Sequence, residues 1–196
     1  MGRASQVLRR LEKMAEKQFI PSIGPIKGEI ITGIIQKYKP RNILEIGTLY
    51  GYSGYSAILM ADTLKGADGK VVTIEIDKSI ADIARKNIAD ARLLNKIDVI
   101  VGNALDEIPR LNSKFDLLFL DAAKNEYLKY LELAQKNNLK RGTIVIADNI
   151  EISKNEMQDY LEYVRNSTIY KSKTIETTVE FTPNVKDAIE VSIKIA

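Results

Sequence analysis

Three features of the sequence predict an α/β chain with a doubly wound sheet of seven strands, mostly parallel and finished by an antiparallel C-terminal hairpin. From Pro40 onward, short apolar runs alternate with stretches of helical spacing, the pattern of right-handed βαβ crossovers. Near the start of that pattern, NILEIGTLYGYS (Asn42 to Ser53) reads as strand, glycine turn, helix, so a Rossmann-like nucleotide crevice is expected there. In the tail, Ile189, Val191, Ile193 and Ile195 alternate with Glu190, Ser192 and Lys194, a period of two that marks a half-buried strand.

Taken in order, Ala4 to Lys17 carries Val7, Leu8, Leu11, Met14 and Ala15 on one side and is expected as a helix. Phe19 to Pro25 is a Pro/Gly-punctuated loop, and Ile26 to Tyr38 resumes helical spacing until Pro40. The alternation then predicts strand Ile43–Ile46, helix Ser53–Leu64, strand Lys70–Ile76, helix Lys78–Leu94 and strand Ile97–Val101. It continues with a short helix from Asn103, strand Phe115–Leu120, helix Asn125–Lys136 and strand Thr143–Ala147. After a helix over Asn155–Arg165, strands Thr174–Phe181 and Ala188–Ile195 are joined at Pro183 to Asp187, too short a link for anything but antiparallel pairing. Residues 1–196 read as one domain, with 1–39 as helices covering the site.

At 196 residues and 45% hydrophobic, the chain can bury a sizeable core. It has no cysteine and no histidine, which excludes disulfides, thiolate or imidazole metal ligands, and cysteine-nucleophile mechanisms. A net charge of +3 neither requires nor excludes a polyanionic partner. The opening MGRASQVLRRLEKMAEKQF lacks the apolar core of a signal peptide, and no run is long enough to span a membrane, so a cytoplasmic protein without membrane contact is expected.

Ligands of a doubly wound sheet sit beyond the carboxyl ends of its strands, and the residues expected there are mostly acidic. Glu45 lies at the end of the first strand, where a carboxylate must find a partner or stay wet. A cofactor with an ammonium group, such as S-adenosylmethionine, would supply one; NAD has none, and the dinucleotide fingerprint fails because Leu49 stands two places after Gly47. Glu75, at the end of VVTIEI, has the spacing of an acid that grips ribose hydroxyls, while Asp77 suits the N-cap of the next helix. Asp121 and the pair Asp148–Asn149 each follow an apolar strand. If those strands are neighbours, three oxygen donors could share a hard cation, most simply Mg²⁺; otherwise each Asp caps a turn. Lys124, three residues past Asp121, is either a general base, pushed toward its neutral form beside a metal, or a solvated lysine.

With these residues assembled, the sequence resembles the cation-dependent O-methyltransferases of the catechol and caffeoyl-CoA type, a class I S-adenosylmethionine-dependent group. The stretches that carry the resemblance are IGPIKGEI (Ile23 to Ile30), LEIGTLYGYS (Leu44 to Ser53), TIEID (Thr73 to Asp77), GNALDEIP (Gly102 to Pro109), FLDAAK (Phe119 to Lys124) and ADN (Ala147 to Asn149). It implies that Glu45 and Ser53 hold the methionine end of S-adenosylmethionine with backbone near Gly47, and that Glu75 holds the ribose. Ile23 and Ala104 would pack nearby. Asp121, Asp148 and Asn149 match the Mg²⁺ ligands, Asp121 bordering the cofactor as well, and Lys124 matches the catalytic base. The implied substrate is a small hydroxylated aromatic, with homodimerisation through the N-terminal helix a family expectation.

The sequence departs from the animal catechol enzymes at Ala122, Ala123, Ser153 and Leu49, where bulkier or different residues are usual, with Phe19 as one substitute aromatic wall. After Asn149 no counterpart is evident for the carboxylate that contacts the second catechol hydroxyl, unless Glu151 or Glu156 serves. The alternatives are methylation of wobble 5-hydroxyuridine in tRNA, a non-catalytic S-adenosylmethionine-binding scaffold and, more weakly, an NAD-dependent dehydrogenase. The joint presence of Asp121, Lys124, Asp148 and Asn149 argues for catalysis.

Overall fold

A computed structural model describes residues 2–18, 23–47, 54–64 and 68–196. Its centre is a seven-stranded sheet of order β3-β2-β1-β4-β5-β7-β6. The strands are β1 (Asn42–Ile46), β2 (Lys70–Glu75), β3 (Ile97–Val101), β4 (Phe115–Leu120), β5 (Leu139–Ala147), β6 (Tyr170–Val179) and β7 (Thr182–Lys194). The first five run parallel, and β7 pairs antiparallel with both β5 and β6, as the sequence predicts. The helices are α1 (Arg3–Gln18), α2 (Gly24–Tyr38), α3 (Tyr55–Thr63), α4 (Lys78–Asp90), α5 (Ala104–Glu107), α6 (Tyr127–Asn137) and α7 (Gln158–Asn166).

Two apolar layers sandwich the sheet. On one face, Val7, Leu8 and Leu11 of α1, Ile31 and Ile35 of α2, and Ile58 of α3 pack on Ile43, Leu117, Phe119 and Ile146. On the other, Tyr127 and Leu131 of α6 and Tyr160 and Val164 of α7 pack on Leu44, Leu118, Leu120 and Val145. Because both faces of β4 are covered, FDLLFL is an unbroken apolar run apart from Asp116, at the strand's amino end, which accepts from the backbone N–H groups of Arg41 and Asn42.

Chain order reverses at β1: β2 and β3 lie to one side, β4 and β5 to the other. That topological switch point opens a crevice beyond the carboxyl ends of β1 and β4, where ligands of such sheets bind. Gly47 turns the chain there at φ 94, and a Cβ at this position would collide with the Asp121 carbonyl.

Several boundaries differ from the sequence reading: β6 begins at Tyr170, not Thr174, α4 ends at Asp90, not Leu94, and α7 begins at Gln158, not Asn155. The hairpin does not turn at Pro183 to Asp187. The chain reverses at Glu180 and Phe181, the latter at φ 59, and 182–194 is strand, the register slipping near Pro183 to Val185 as a bulge that tolerates proline. β5 begins at Leu139, not Thr143. Exposed Lys140, Arg141 and Gly142 carry an irregularity against β4 that hides the strand's start from hydrophobic patterning.

Candidate active site

The crevice encloses about 690 Å³ and is bordered by Gly47, Glu75, Ala104, Asp121, Lys124 and Asn149, among others. Of the residues singled out from sequence, these six therefore converge. Glu75 is 7% exposed and accepts the backbone N–H of Asp77 at 2.9 Å. Asp77 itself caps α4 through the N–H groups of Ser79 and Ile80, as expected from its spacing. Ile76, 71% exposed, and Ile80 offer apolar surface beside Glu75, facing Ala104 at the start of α5.

Glu45 and Ile23 are buried and do not border the crevice. The Ser56 hydroxyl of α3 donates to Glu45 Oε1, while Oε2, among the described residues, has no well-formed hydrogen bond. Burial pushes the Glu45 carboxyl up to about 7, with the hydroxyls of Ser56 and Thr73 pulling it back and the charges of Asp121 and Glu75 raising it further. A buried carboxylate held by hydroxyls fits a cationic ligand group. Ser53, Phe19 and Leu49 lie outside the described residues.

The second half of the site stands on β4 and β5. Leu120 and Ala147 are register partners on adjacent parallel strands, so Asp121 and Asp148 leave the sheet side by side, as the shared-cation expectation requires. Lys124 sits in a 3-10 turn (Lys124–Glu126) that runs into α6, and its ammonium donates to Asp121 Oδ1 at 2.9 Å and to the Tyr127 hydroxyl at 2.7 Å. Tyr127 in turn donates to the Leu120 carbonyl at 2.8 Å, so a fully buried phenol tethers the lysine. Asn149 follows at φ 60, a left-handed position that asparagine tolerates better than most residues.

Three further residues enter the site that sequence reasoning missed. Lys27 of α2 is 2% exposed, with its Nζ 2.7 Å from Asp148 Oδ1 and 2.6 Å from Asp187 Oδ2. The Lys27 ammonium thus bridges the buried carboxylates of Asp148 and Asp187. Glu180 accepts the backbone N–H of Lys27 at 2.9 Å. The tail thus brings two buried carboxylates, Glu180 and Asp187, to the site, whereas Glu151 and Glu156 are exposed. Signals for two of the three were present: Lys27 falls on the buried stripe of α2 with Ile31 and Ile34, and Asp187 holds the same phase as Ile189, Val191 and Ile193.

Burial raises Asp148 to about 6, the Asp121 charge adding to the shift and Lys27 and Lys124 opposing it. Among the described residues, Asp121, Asp148, Glu180 and Asp187 face two ammoniums, Lys27 and Lys124, an excess of acid that suits a cation. No three acidic side chains among them converge closely enough to hold a metal unaided. The set Asp121, Asp148 and Asn149 completes its triad with an amide oxygen, all-oxygen chemistry that fits a hard divalent ion.

The O-methyltransferase family model matches residues 2–180 of the chain. Catechol O-methyltransferase B of Danio rerio is 34% identical over 183 residues, covering 90% of this chain and 67% of that protein. Catechol O-methyltransferase of Mus musculus is 32% identical over 185 residues, covering 91% and 67%. Among solved structures, the O-methyltransferase from Bacillus cereus in complex with SAH superposes with a TM-score of 0.83 at 27% identity, over 96% of this chain and 90% of that one.

Proposed function

The chain belongs to the O-methyltransferase family, and from that premise we propose that it moves a methyl group from S-adenosylmethionine to a hydroxyl of a small catechol-like substrate with a divalent cation, most simply Mg²⁺, in the site. The observation that carries this reading is the convergence of Asp121, Lys124 and Asn149 on one crevice, with Asp148 buried at the end of β5 next to β4, whose end carries Asp121.

S-adenosylmethionine supplies the methyl as an electrophile. Glu45, a fully buried carboxylate, would answer the ammonium of the methionine moiety, and Glu75 would accept from the ribose hydroxyls beside the apolar surface of Ile76 and Ala104. Asp121, Asp148 and Asn149 would hold the cation, whose chemistry is to lower the pKa of a substrate hydroxyl and fix its oxygen. Lys124 Nζ, steered by Asp121 and by the Tyr127 hydroxyl, stands at the crevice wall, where its neutral amine, having first given up a proton to solvent, would take the proton of the substrate hydroxyl. Ala122 and Ala123 leave the wall beside Asp121 without bulk, so substrate selection falls less on shape there than on chelation of two adjacent oxygens.

The test is transfer of label from S-adenosylmethionine to a catechol panel and to bulk tRNA, each with Mg²⁺ and with EDTA. Label on catechols that EDTA abolishes is the expected result; label on tRNA alone would move the protein to the RNA-modifying alternative, and EDTA-resistant transfer would overturn the cation site. In the same assay Lys124→Ala should lower kcat by about 10²–10⁴-fold while leaving affinity for S-adenosylhomocysteine nearly unchanged.

A further inference from the structure

Asp187 lies on β7 with its side chain 0% exposed, and it accepts hydrogen bonds from Lys27, Asn149 and the chain just after Asn149. Its Oδ2 accepts from Lys27 Nζ at 2.6 Å and from Asn149 Nδ2 at 3.0 Å. Its Oδ1 lies 3.3 Å from the backbone nitrogens of Glu151 and Ile152, which donate to it. With the backbone N–H of Ala188 also directed at it, the carboxylate's accepting capacity is fully used.

That arrangement decides which way the Asn149 amide points. The carboxylate, paired with an ammonium, can only accept, so the amide must turn its NH₂ toward Asp187. The amide oxygen is then the atom left to face the crevice, which Asn149 borders next to Asp121. The left-handed backbone of Asn149 and the two N–H groups just after it are held by the same carboxylate, so the turn and the amide are oriented together.

We propose that Asp187 is a positioning residue for the cation site: it orients Asn149 so that Oδ1 is presented to the divalent ion, and through Lys27 it anchors the first turn of α2 beside Asp148. This rests on the cation-binding reading given above. Neutralising Lys27 alone would not require a bond to Asn149, and the two roles separate on replacement. Asparagine at 187 retains an oxygen that can accept from Asn149, whereas alanine does not.

The experiment is Mn²⁺ binding to the purified full chain, followed by the electron paramagnetic resonance signal of unbound Mn²⁺, with thermal melting as a control for folding. Asp187→Ala should weaken Mn²⁺ binding by about 10- to 100-fold, the range for residues that orient a metal ligand, and Asp187→Asn by at least about threefold less than that. Equal losses in the two variants, or wild-type affinity in Asp187→Ala, would overturn the proposal. Where Asp187→Ala does not fold, a cycle with Asn149→Ala decides: Asp187→Asn should have little further effect in that background, and an undiminished effect would sink the idea. Failure of the wild-type chain to bind Mn²⁺ would remove the cation site and this inference together, which is distinct from wild-type binding that Asp187 does not influence.

Discussion

Glu45 is a residue whose neighbours decide its chemistry. Its place in NILEI made it legible as an acid inside an apolar strand, but only the folded chain shows that it is sealed, with the hydroxyls of Ser56 and Thr73 beside it. Burial raises it to about 7, so the cofactor-free fold favours the protonated form; its contribution to stability is present at low pH and lost as pH rises from the ordinary carboxylate range through about 7. An ammonium-bearing ligand needs the ionised form. Affinity for S-adenosylhomocysteine should therefore rise between pH 5.5 and 7, by up to about tenfold per unit, and Glu45→Gln should flatten that slope in calorimetric titrations. A slope that survives the substitution would mean that another group is titrating. Lys27 and Asp187 were harder to read, because a lone charge on an apolar stripe gives no clue to its partner when that partner is 160 residues away.

At the level of elements, the parallel strands were read most closely. β3 and β4 match their expected limits, and for β4 the reason is that a strand covered on both faces is an apolar run. The cap of α4 at Asp77 was legible for a similar local reason. The antiparallel edge hairpin was legible too, but the place of its turn was not, because the turn is made by Phe181 in a left-handed conformation and the bulge carries Pro183, neither of which follows from hydrophobic period. β4 sits at the middle of both apolar layers, so Leu118→Ala should cost about 2–5 kcal/mol, seen as a lower urea midpoint with an unchanged m-value. A loss under 1 kcal/mol would indicate that α6 and α7 can collapse onto the space.

For the whole molecule, elements from both ends of the chain meet beside the crevice: α2 is pinned to the C-terminal hairpin by Lys27–Asp187 and by Glu180, and Asp187 holds Asn149, while the ends of β1 and β2 and the segment after β4 line the crevice. Ligand binding should therefore stabilise the molecule globally. S-adenosylhomocysteine at 100 times its dissociation constant should add about 2.7 kcal/mol, raising the melting temperature by roughly 5–11 °C, and an unshifted melt at that excess would contradict cofactor binding. The sequence by itself determined the doubly wound architecture, the glycine turn and the acids at the strand ends, because periodicity and turn chemistry act between near neighbours. It also carried the family resemblance through its short motifs. Only the tertiary structure decided that Glu45 is sealed beneath Ser56, that Tyr127 tethers Lys124, and that Lys27, Glu180 and Asp187 close around Asp148 and Asn149. Those arrangements depend on burial and on pairs of charges brought together from distant segments, and neither quantity exists until the chain has folded.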